Sequence, residues 1–560
     1  MPFTPATAEQ RFVLDHVAGL SELTDSGADV IDAVLGGIGE LAAGEWAPLN
    51  RKGDTVGATW TPDGAVMPEG FAAAYRAYVE GGWGTIGVAE AWGGQGLPFV
   101  VQAAVLETLG TANMSLALAP TLTVAAIEAL IHHGSPEQQA RYLPHLVTGA
   151  WTGTMNLTEP QAGSDVGALK TRATPRGDGT YSITGTKIFI SFGDHDMADN
   201  IVHLVLARTP DAPAGTKGIS LFLVPKYRLD AEGRPGEAND IRVVSIEHKM
   251  GLHASPTCVL SFGDTGNCIG ELIGPELGGM RAMFTMMNNA RLNVGLQGVQ
   301  IAEAARQAAV AYARERIQGS RGGRPVAIAE HPDVRRMLMR MVAQTQAARA
   351  LVYYAMAEVD RAALGDAAAQ ERLELLTPLA KAHATDLGCE VTSLAIQVHG
   401  GMGYIEETGV AQFFRDARIP PIYEGTNGIQ AADLVGRKLT MDNGGVVARL
   451  IADMRGEAKG AALVKLIDAC DAAVRRLLTA EADDRLAAST PFLTMLSVAV
   501  CGWLMEKQAR AADDDAFGTA KRAVAAFYGE QIVPEALGLE AAATASAAAL
   551  YALPAEALAG

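Results

Sequence analysis

Six short runs in the middle of the chain decide its fold: TYSIT (180–184), KIFIS (187–191), IVHLVLAR (201–208), ISLFLV (219–224), IRVVSI (241–246) and TCVLSF (257–262). Each run is rich in β-branched or aromatic residues, and turn signals such as Asp178-Gly179 and Gly193-Asp194 separate the runs, which is typical of β-strands. No segment of helix length intervenes. The runs therefore predict an antiparallel sheet or barrel without βαβ units.

Helical patterns flank this central region on both sides. Between Val30 and Leu41, apolar residues recur at spacings of three and four, which places them on one helical face. Helical spacing returns at about Gly278 and continues to Leu439, and a break at residues 442–445 precedes an Ala-rich helical block. We therefore predict an α+β chain with four domains: an N-terminal all-α domain (1–152), a central antiparallel β domain (153–277), a C-terminal α-helical bundle (278–440) and a helical C-terminal extension (441–560).

Composition and charge narrow the possible functions. The 560 residues are 49% hydrophobic and 19% charged, a balance that excludes intrinsic disorder. The formal net charge of −18 argues against a nucleic-acid partner, because no basic stripe is present. Five widely spaced cysteines exclude a disulfide scaffold and a CxxC metal site. Without a signal-peptide core or a long apolar run, we expect a cytoplasmic protein with no membrane insertion.

The common motifs for nucleotide binding, hydrolysis and metal binding are absent from this chain or occur in the wrong context. The GWGTIG motif at residues 82–87 matches a dinucleotide fingerprint, but a helical pattern precedes it where a strand is required. A helix-terminating loop is therefore the favoured interpretation. The chain has no GxSxG motif, and His132-His133 has no carboxylate at ligand spacing. We expect neither a hydrolase nor a metal site.

Two polar loops are candidates for chemistry. The first, MNLTEPQAGSD at residues 155–165, offers hydroxyls and backbone N–H groups that suit a planar ring or a phosphate, although such loops are usually ordinary turns. The second, RIPPIYEGTNG at residues 418–428, contains the single carboxylate of Glu424 beside an apolar stretch. Desolvation would raise the pKa of that carboxyl and make it a base. The alternative is a surface glutamate at a helix entry.

Taken together, these segments resemble the acyl-CoA dehydrogenase family. The resemblance runs from about Phe71 to Leu439, and the common order of the motifs makes it highly specific. The extra C-terminal block and the run MFTMMNNARLN (283–293) resemble a C-terminally extended branch that includes 3-methylmercaptopropionyl-CoA dehydrogenases. The matching motifs are LTEP (157–160), GSD (163–165), GTKIFIS (185–191), KMG (249–251), SPT (255–257), ER (315–316), QVHGGMGY (397–404) and YEGT (423–426).

The resemblance implies an activity. It is the FAD-dependent α,β-dehydrogenation of an acyl-CoA thioester to a trans-2-enoyl-CoA, with 3-methylthiopropionyl-CoA or a short- or medium-chain acyl-CoA as substrate. Glu424 matches the family's base, which removes the α-proton while hydride leaves to the flavin. The resemblance also implies an electron-transferring flavoprotein as electron acceptor and a homodimer or homotetramer.

Binding residues follow from the same resemblance. Arg316 matches an arginine that holds the FAD pyrophosphate, and the loop after Gln397 matches one that reaches the FAD of a neighbouring subunit. The implied substrate contacts are Ser164, Arg291, Tyr423 and Gly425. The implied cofactor contacts are Met155, Asn156, Leu157, Thr158, Ser164, Phe189, Ser191, Arg316, Gln397, Gly400, Gly401 and Thr426.

The sequence departs from the family's pattern at three places. Asn288 stands where an aspartate is common before the substrate-side arginine, and an aromatic residue is missing from residues 318–321. Ala431 replaces an arginine that often follows the base, with Arg437 as a possible substitute. These departures leave the contacts to CoA and the acyl specificity open.

Two other functions and the role of the extension are also open at this stage. A related extended branch binds DNA, which the net charge disfavours. An oxygen-reactive family member would act as an oxidase. In the extension, an apolar helical stripe predicts packing against the body of its own or a neighbouring subunit: Leu463, Leu466, Ile467, Cys470, Val474 and Leu477.

Overall fold

The computed structural model describes residues 3–559. Its helices are α1 (Thr7–Val13), α2 (Ala28–Leu41), α3 (Ala47–Val56), α4 (Phe71–Glu80), α5 (Phe99–His133), α6 (Pro136–Thr148), α7 (Gly279–Glu315), α8 (Pro332–Ala363), α9 (Ala367–His399), α10 (Val410–Asp416), α11 (Asn427–Asp433), α12 (Gly445–Glu457), α13 (Ala461–Thr479), α14 (Ala482–Ala487), α15 (Ser489–Ala511), α16 (Ala516–Phe527) and α17 (Val533–Leu537). Its strands are β1 (Thr59–Thr61), β2 (Gly64–Val66), β3 (Trp151–Asn156), β4 (Arg172–Pro175), β5 (Tyr181–Ser191), β6 (Asn200–Ala207), β7 (Ser220–Pro225), β8 (Tyr227–Leu229), β9 (Pro235–Ala238), β10 (Ile241–Ile246), β11 (Thr257–Phe262), β12 (Ile269–Ile273), β13 (Ile317–Arg321) and β14 (Arg324–Ala327).

The chain forms two compact units. The sheet unit contains Ala33–Leu97 and Thr108–Ala290. The helical unit contains the described residues of Met1–Asp32, Pro98–Glu107 and Arg291–Gly560. Helices at both ends of the chain and a sheet between them confirm the predicted α+β fold class.

One sheet of eight strands forms the centre of the sheet unit. Its order is β10-β11-β5-β12-β7-β6-β3, and β4 pairs with β5. Strands β3, β6 and β7 are buried along their whole length because apolar side chains pack on both faces of the sheet. Leu204 and Leu223 point into one apolar cluster, whereas Val205 and Phe222 point into the other.

The sheet is mixed, which corrects the expectation of a purely antiparallel one. Strand β3 pairs with β6 in parallel, with Trp151 opposite Asn200 and Asn156 opposite Val205, and the other pairs are antiparallel. A parallel pair needs a long crossover connection, which is usually a helix. Here β4 and β5 make the crossover instead, so the absence of helical segments in the sequence did not reveal it.

The predicted strands agree with the structure at four runs. Residues 201–208, 219–224, 241–246 and 257–262 correspond to β6, β7, β10 and β11. The remaining two runs join into the single strand β5, which continues through Gly185 at φ +157°. A side chain at Gly185 would collide with Thr171, and glycine is the residue that allows such close approach.

In the helical unit, the extension packs against the long helices of the same chain. Helix α15 contacts α8, α9 and α13, and the predicted apolar stripe on α13 is buried. A buried polar contact ties the extension to the N-terminal helix: the Lys521 ammonium on α16 donates to Glu9 Oε1 at 2.6 Å and to Gln508 Oε1 at 2.6 Å. The extension therefore covers the body of its own subunit.

Helix α5 is the one described helix that is long and apolar enough to span a membrane. However, 83% of its most apolar window is buried inside the protein, which is typical of a core helix. Asn113 interrupts the helix at φ −158° and ψ 90°, and its side chain accepts a hydrogen bond from the Leu116 N–H at 3.2 Å. The segment is therefore two consecutive helices with a kink between them.

Candidate active site

The loop before α11 holds Glu424 in an unusual backbone conformation. Glu424 has φ +56° and Gly425 has φ +83°, and a positive φ is rare for a residue with a side chain. The Asn427 N–H donates to the Pro421 carbonyl at 2.9 Å and closes the loop, which we call the base loop (residues 421–427). The Gln430 side-chain amide donates to the Gly425 carbonyl at 3.2 Å. These bonds stabilise a conformation that a free chain would rarely adopt.

Glu424 is half-buried. Burial raises the pKa of this carboxyl, and the positive charges of Arg291 and Lys381 oppose that shift. Within residues 3–559, no group forms a hydrogen bond or ion pair with the carboxylate, and the Glu424 backbone N–H has no acceptor. A carboxylate with a raised pKa and no partner has the properties of a base.

Besides the adjacent Gly425, two predicted substrate residues lie beside Glu424, Arg291 and Tyr423. Arg291 on α7 is only 8% exposed, and its Nε has no hydrogen-bond partner among the described residues. Burial lowers the pKa of Arg291, and the charges of Asp433 and Glu424 only partly oppose that shift. The Tyr423 hydroxyl forms a short hydrogen bond to Gln297 on the same helix. The structure thus brings Arg291, Tyr423 and Glu424 together, and the roles of these residues stay predictions.

A buried lysine and an asparagine also belong to this site, and sequence reasoning missed both. Lys381 on α9 is fully buried, and its ammonium donates to Asn427 Oδ1 at 2.8 Å. The available signal was a lone charge within the apolar run LTPLAKAHA (376–384). Lysine is rarely buried without a partner, so a lysine in an apolar run indicates a polar contact inside the protein.

In the sheet unit, the loop after β3 carries the predicted flavin contacts Leu157, Thr158 and Ser164. Leu157 and Thr158 are half-buried and Ser164 is exposed. The loop is held by a buried ion pair, in which the Lys187 ammonium donates to Glu159 Oε1 at 2.8 Å and to the Leu157 carbonyl at 3.0 Å. Thr158 therefore lies between two residues, Leu157 and Glu159, that the Lys187 ammonium holds in place.

Glu159 receives further hydrogen bonds from the same loop. Its oxygens accept from the backbone N–H groups of Lys170 at 2.6 Å and Thr171 at 3.0 Å. Burial disfavours the charged carboxyl, but the Lys187 ammonium and these hydrogen bonds outweigh burial and lower the pKa of Glu159 to about 2. Burial also lowers the pKa of Lys187 to about 8, although Glu159 opposes that shift. The ion pair fixes both ends of the segment from residue 157 to residue 171.

The other predicted flavin contacts of the sheet unit lie on two strands. Phe189 on β5 is 59% exposed at φ +59°, and Ser191 is half-buried. Met155 packs in the core, and the Asn156 amide is buried, where it donates to Thr154 Oγ1 at 2.9 Å. Met155 and Asn156 thus lie inside the sheet unit rather than at its surface.

The remaining predicted cofactor residues of the helical unit lie away from Glu424. Arg316 follows α7 and is exposed; about 36 Å of helix separates Arg291 from the end of α7. Gln397 is exposed in the last turn of α9, about 24 Å along that helix from Lys381. Gly400, at φ +60°, and Gly401 have open space where a side chain would be. Of the predicted cofactor residues, only Thr426 is in the base loop, where it caps α11.

Among the residues that depart from the family pattern, Asn288 and residues 318–321 are exposed, whereas Ala431 is buried. Asn288 lies at the surface of α7 in the sheet unit. Arg437 is exposed and forms a short ion pair with Asp433, the residue whose charge also acts on Arg291. Arg437 is therefore connected to the site through Asp433.

Models of known families match nearly the whole chain. The acyl-CoA dehydrogenase N-terminal, middle and C-terminal domains match residues 50–150, 154–265 and 278–440. The domain described as acetyl-CoA dehydrogenase C-terminal like matches residues 446–554.

Individual proteins agree with the family models. The 3-methylmercaptopropionyl-CoA dehydrogenase of Ruegeria pomeroyi is 44% identical over 575 residues, covering 96% of this chain and 97% of that protein. A butyryl-CoA dehydrogenase of Syntrophomonas wolfei is 38% identical and covers 91% of both chains. A Bacillus anthracis acyl-CoA dehydrogenase solved in complex with FAD has a TM-score of 0.75 at 21% identity, covering 97% of this chain and 91% of that one, a likeness of fold alone.

The fold and the full-length relatives define an oxidoreductase that acts on CH–CH bonds of acyl-CoA thioesters. The chain belongs to the acyl-CoA dehydrogenase family. Within the family it carries the additional C-terminal domain.

Proposed function

We propose that the chain is an FAD-dependent dehydrogenase that converts an acyl-CoA thioester to a trans-2-enoyl-CoA, with Glu424 as the base. The observation that carries this proposal is the half-buried Glu424, whose carboxyl has a raised pKa and lacks a partner in the described chain. An α-proton of a thioester is very weakly acidic. A base with a raised pKa is therefore better suited to remove it than an ordinary surface carboxylate.

Removal of the α-proton also needs stabilisation of the negative charge that develops on the thioester oxygen. The Glu424 backbone N–H has no acceptor in residues 3–559 and could donate to that oxygen. Arg291 supplies a buried positive charge nearby and keeps part of Glu424 ionised. In this proposal, Glu424 accepts the proton, its own N–H binds the carbonyl oxygen, and Arg291 favours the anionic state.

The residues present fit FAD. In the sheet unit, the Thr158 and Ser191 hydroxyls and the exposed Phe189 ring suit a flavin ring, and the exposed Ser164 suits a phosphate or the CoA chain. In the helical unit, no acidic side chain of the described residues pairs with the exposed guanidinium of Arg316, whose planar fork suits a pyrophosphate. When bound, the flavin supplies the acceptor for the hydride that leaves the β-carbon.

We propose Gln397, Gly400 and Gly401 as the contacts to the adenosine half of FAD on a neighbouring subunit. All three are exposed, and the two glycines leave room for close approach of a ligand to the backbone. Their distance from the base loop along α9 supports a site that a second copy of the chain completes. The proposed assembly is a homodimer or homotetramer.

The substrate class rests on the relatives. We propose 3-methylthiopropionyl-CoA or a short- or medium-chain acyl-CoA, because the two relatives compared above are named for 3-methylmercaptopropionyl-CoA and butyryl-CoA.

Flavin bleaching tests both the function and the substrate class. The FAD-loaded protein is mixed anaerobically with 3-methylthiopropionyl-CoA, butyryl-CoA, octanoyl-CoA and palmitoyl-CoA. We expect rapid loss of the flavin band with one or more of the first three, and at least about tenfold slower loss with palmitoyl-CoA. Fastest bleaching by palmitoyl-CoA would contradict the substrate class, and no bleaching by any thioester would contradict the function.

The electron acceptor is a separate prediction. We propose an electron-transferring flavoprotein, so that the protein reduced by its acyl-CoA is reoxidised faster by that flavoprotein than by air. Stopped-flow absorbance measures both rates in parallel samples. Rapid reoxidation by air with formation of hydrogen peroxide would instead identify an oxidase.

A further inference from the structure

Helix α9 carries a buried lysine, Lys381, that has no role in the proposed reaction as described above. Lys381 is completely buried between Ala380 and Ala382, two residues that are also buried. Burying an ammonium group is costly unless it is paired, so a lysine at such a position needs a compensating role. Its hydrogen-bond partner is an amide, Asn427, rather than a carboxylate.

Asn427 connects Lys381 to the base loop. Its Oδ1 accepts from the Lys381 ammonium at 2.8 Å, and its Nδ2 donates to Asp386 Oδ1 at 2.7 Å and to the Ala382 carbonyl at 3.1 Å. Its backbone N–H closes the loop on Pro421 at 2.9 Å. One residue thus fastens the end of the base loop to α9, and every bond of its side-chain oxygen comes from α9.

The charge of Lys381 also acts on Glu424, which lies three residues before Asn427 in the loop. In the described chain, the charged groups that act on Lys381 are Asp386 on α9, Glu424 in the base loop and Arg291 on α7. Asp386 and Glu424 favour the ammonium form, whereas Arg291 disfavours it. Glu424 has the same two cationic neighbours, Arg291 and Lys381.

We propose that Lys381 is a positioning residue for the base: through Asn427 it fixes the base loop, and its positive charge keeps Glu424 ionised. This inference rests on the proposed role of Glu424. It assigns the two cations near Glu424 different tasks. In the proposed function Arg291, whose Nε has no partner in the described chain, faces the substrate, and Lys381 supports the loop from within the protein.

The charge of Lys381 changes near neutral pH, within the range where activity can be measured. Burial lowers the pKa of Lys381 to about 7, against the opposing effect of Asp386 and Glu424. The ammonium is therefore present below neutral pH and largely absent at pH 9. A positive neighbour lowers the pKa of a carboxyl, so loss of Lys381 raises the pKa of Glu424 and removes more of the base at pH 6 than at pH 9.

The pH dependence of Lys381→Met separates this role from a purely structural one. We measure kcat/KM from pH 5.5 to pH 9.5 for the wild type, Lys381→Met, Lys381→Arg and Asn427→Ala, each checked for FAD content. The mutant-to-wild-type ratio for Lys381→Met is expected to be at least about fivefold lower at pH 6 than at pH 9. Lys381→Arg keeps the positive charge. Its ratio of kcat/KM to the wild type is therefore expected to be no lower at pH 6 than at pH 9. Asn427→Ala removes the tether but keeps the lysine, so its ratio of kcat/KM should vary less with pH than that of Lys381→Met.

Thermal unfolding gives a second readout that does not depend on turnover. An acid whose pKa is raised in the folded state costs stability as pH rises through that pKa, because the unfolded chain releases its proton first. Glu424→Gln removes this cost. At pH 6.5 we expect Glu424→Gln to raise the Tm more in the Lys381→Met background than in the wild type.

The results that overturn the inference differ from those that overturn the proposed function. A Lys381→Met ratio that is the same at pH 6 and pH 9, or an equal Tm gain in both backgrounds, shows that Lys381 does not act on Glu424. An Asn427→Ala variant with the same pH-dependent loss as Lys381→Met would also overturn it. Failure of the proposed function would appear in the wild type itself, as no reaction with any acyl-CoA.

Discussion

Replacing Glu424 with glutamine is expected to slow flavin bleaching by acyl-CoA about 10²–10⁴-fold, the usual contribution of a general base. Glutamine has the shape of glutamate but cannot accept the α-proton. The base loop should remain intact, because its bonds come from Asn427 and Gln430 and none of them uses the Glu424 carboxylate. FAD content and Tm at low pH are therefore expected to stay close to those of the wild type.

Glu407→Gln is the matched control for this experiment. Glu407 is an exposed acid of the same unit outside the base loop, so the same chemical change there should leave bleaching within about twofold. Rapid-mixing absorbance at the flavin band measures all three proteins. A Glu424→Gln protein that binds FAD and bleaches within a few-fold of the wild type would remove Glu424 from the mechanism.

Replacing Lys187 with methionine is expected to lower the free energy of unfolding by about 3–5 kcal/mol, which is typical when one partner of a buried ion pair is removed. Glu159 would keep its position under the loop with an uncompensated charge. The Leu157 carbonyl would also lose its donor. Because this loop carries Thr158 and Ser164, we expect FAD to bind more weakly as well. Urea denaturation and the ratio of FAD to protein measure the two effects.

Two further variants test that explanation. The double variant Lys187→Met with Glu159→Gln removes both charges, so it should recover a large part of the stability lost by Lys187→Met alone. Lys217→Met changes an exposed lysine of the same unit and should cost less than about 0.5 kcal/mol. If Lys187→Met is no less stable than Lys217→Met, the ion pair does not hold the loop.

Much of the sheet could be predicted from the sequence because its strands are short β-branched runs between turns. The runs at residues 201–208 and 219–224 correspond to β6 and β7. Strand β3, WTGTMN, was not predicted, because glycine and asparagine weaken its β signal and because its burial depends on packing against other segments of the chain. The parallel pairing depends on the crossover between distant segments, which local patterns do not contain.

The candidate site also contains some residues that could be predicted from the sequence and one that could not. Glu424, Tyr423 and Arg291 could be predicted because motif positions carry them, and the structure brings these three together. Lys381 lies in the middle of a helix. Lysine is common and usually exposed at such positions, so the sequence alone does not single it out. Its role is visible only after α9 packs against the base loop and Asn427 reaches its ammonium.

The burial of Asn156 also could not be predicted from the sequence. Its neighbours in the motif, Leu157 and Thr158, are accessible, but the Asn156 amide lies at the end of β3 inside the sheet. Both faces of β3 are covered by residues from other parts of the chain, so the burial of Asn156 depends on a packing that the local sequence does not contain.

The central claim is that the Glu424 carboxylate removes the α-proton of a bound thioester, and hydrogen exchange tests it without electron transfer. Acetyl-CoA has α-hydrogens but no β-carbon, so it can lose a proton and cannot be dehydrogenated. The FAD-loaded protein is incubated with acetyl-CoA in D2O, and mass spectrometry follows deuterium at the α-carbon. We predict deuterium incorporation well above the rate without protein, and incorporation at that background rate with Glu424→Gln. Equal incorporation by the wild type and Glu424→Gln would contradict the claim.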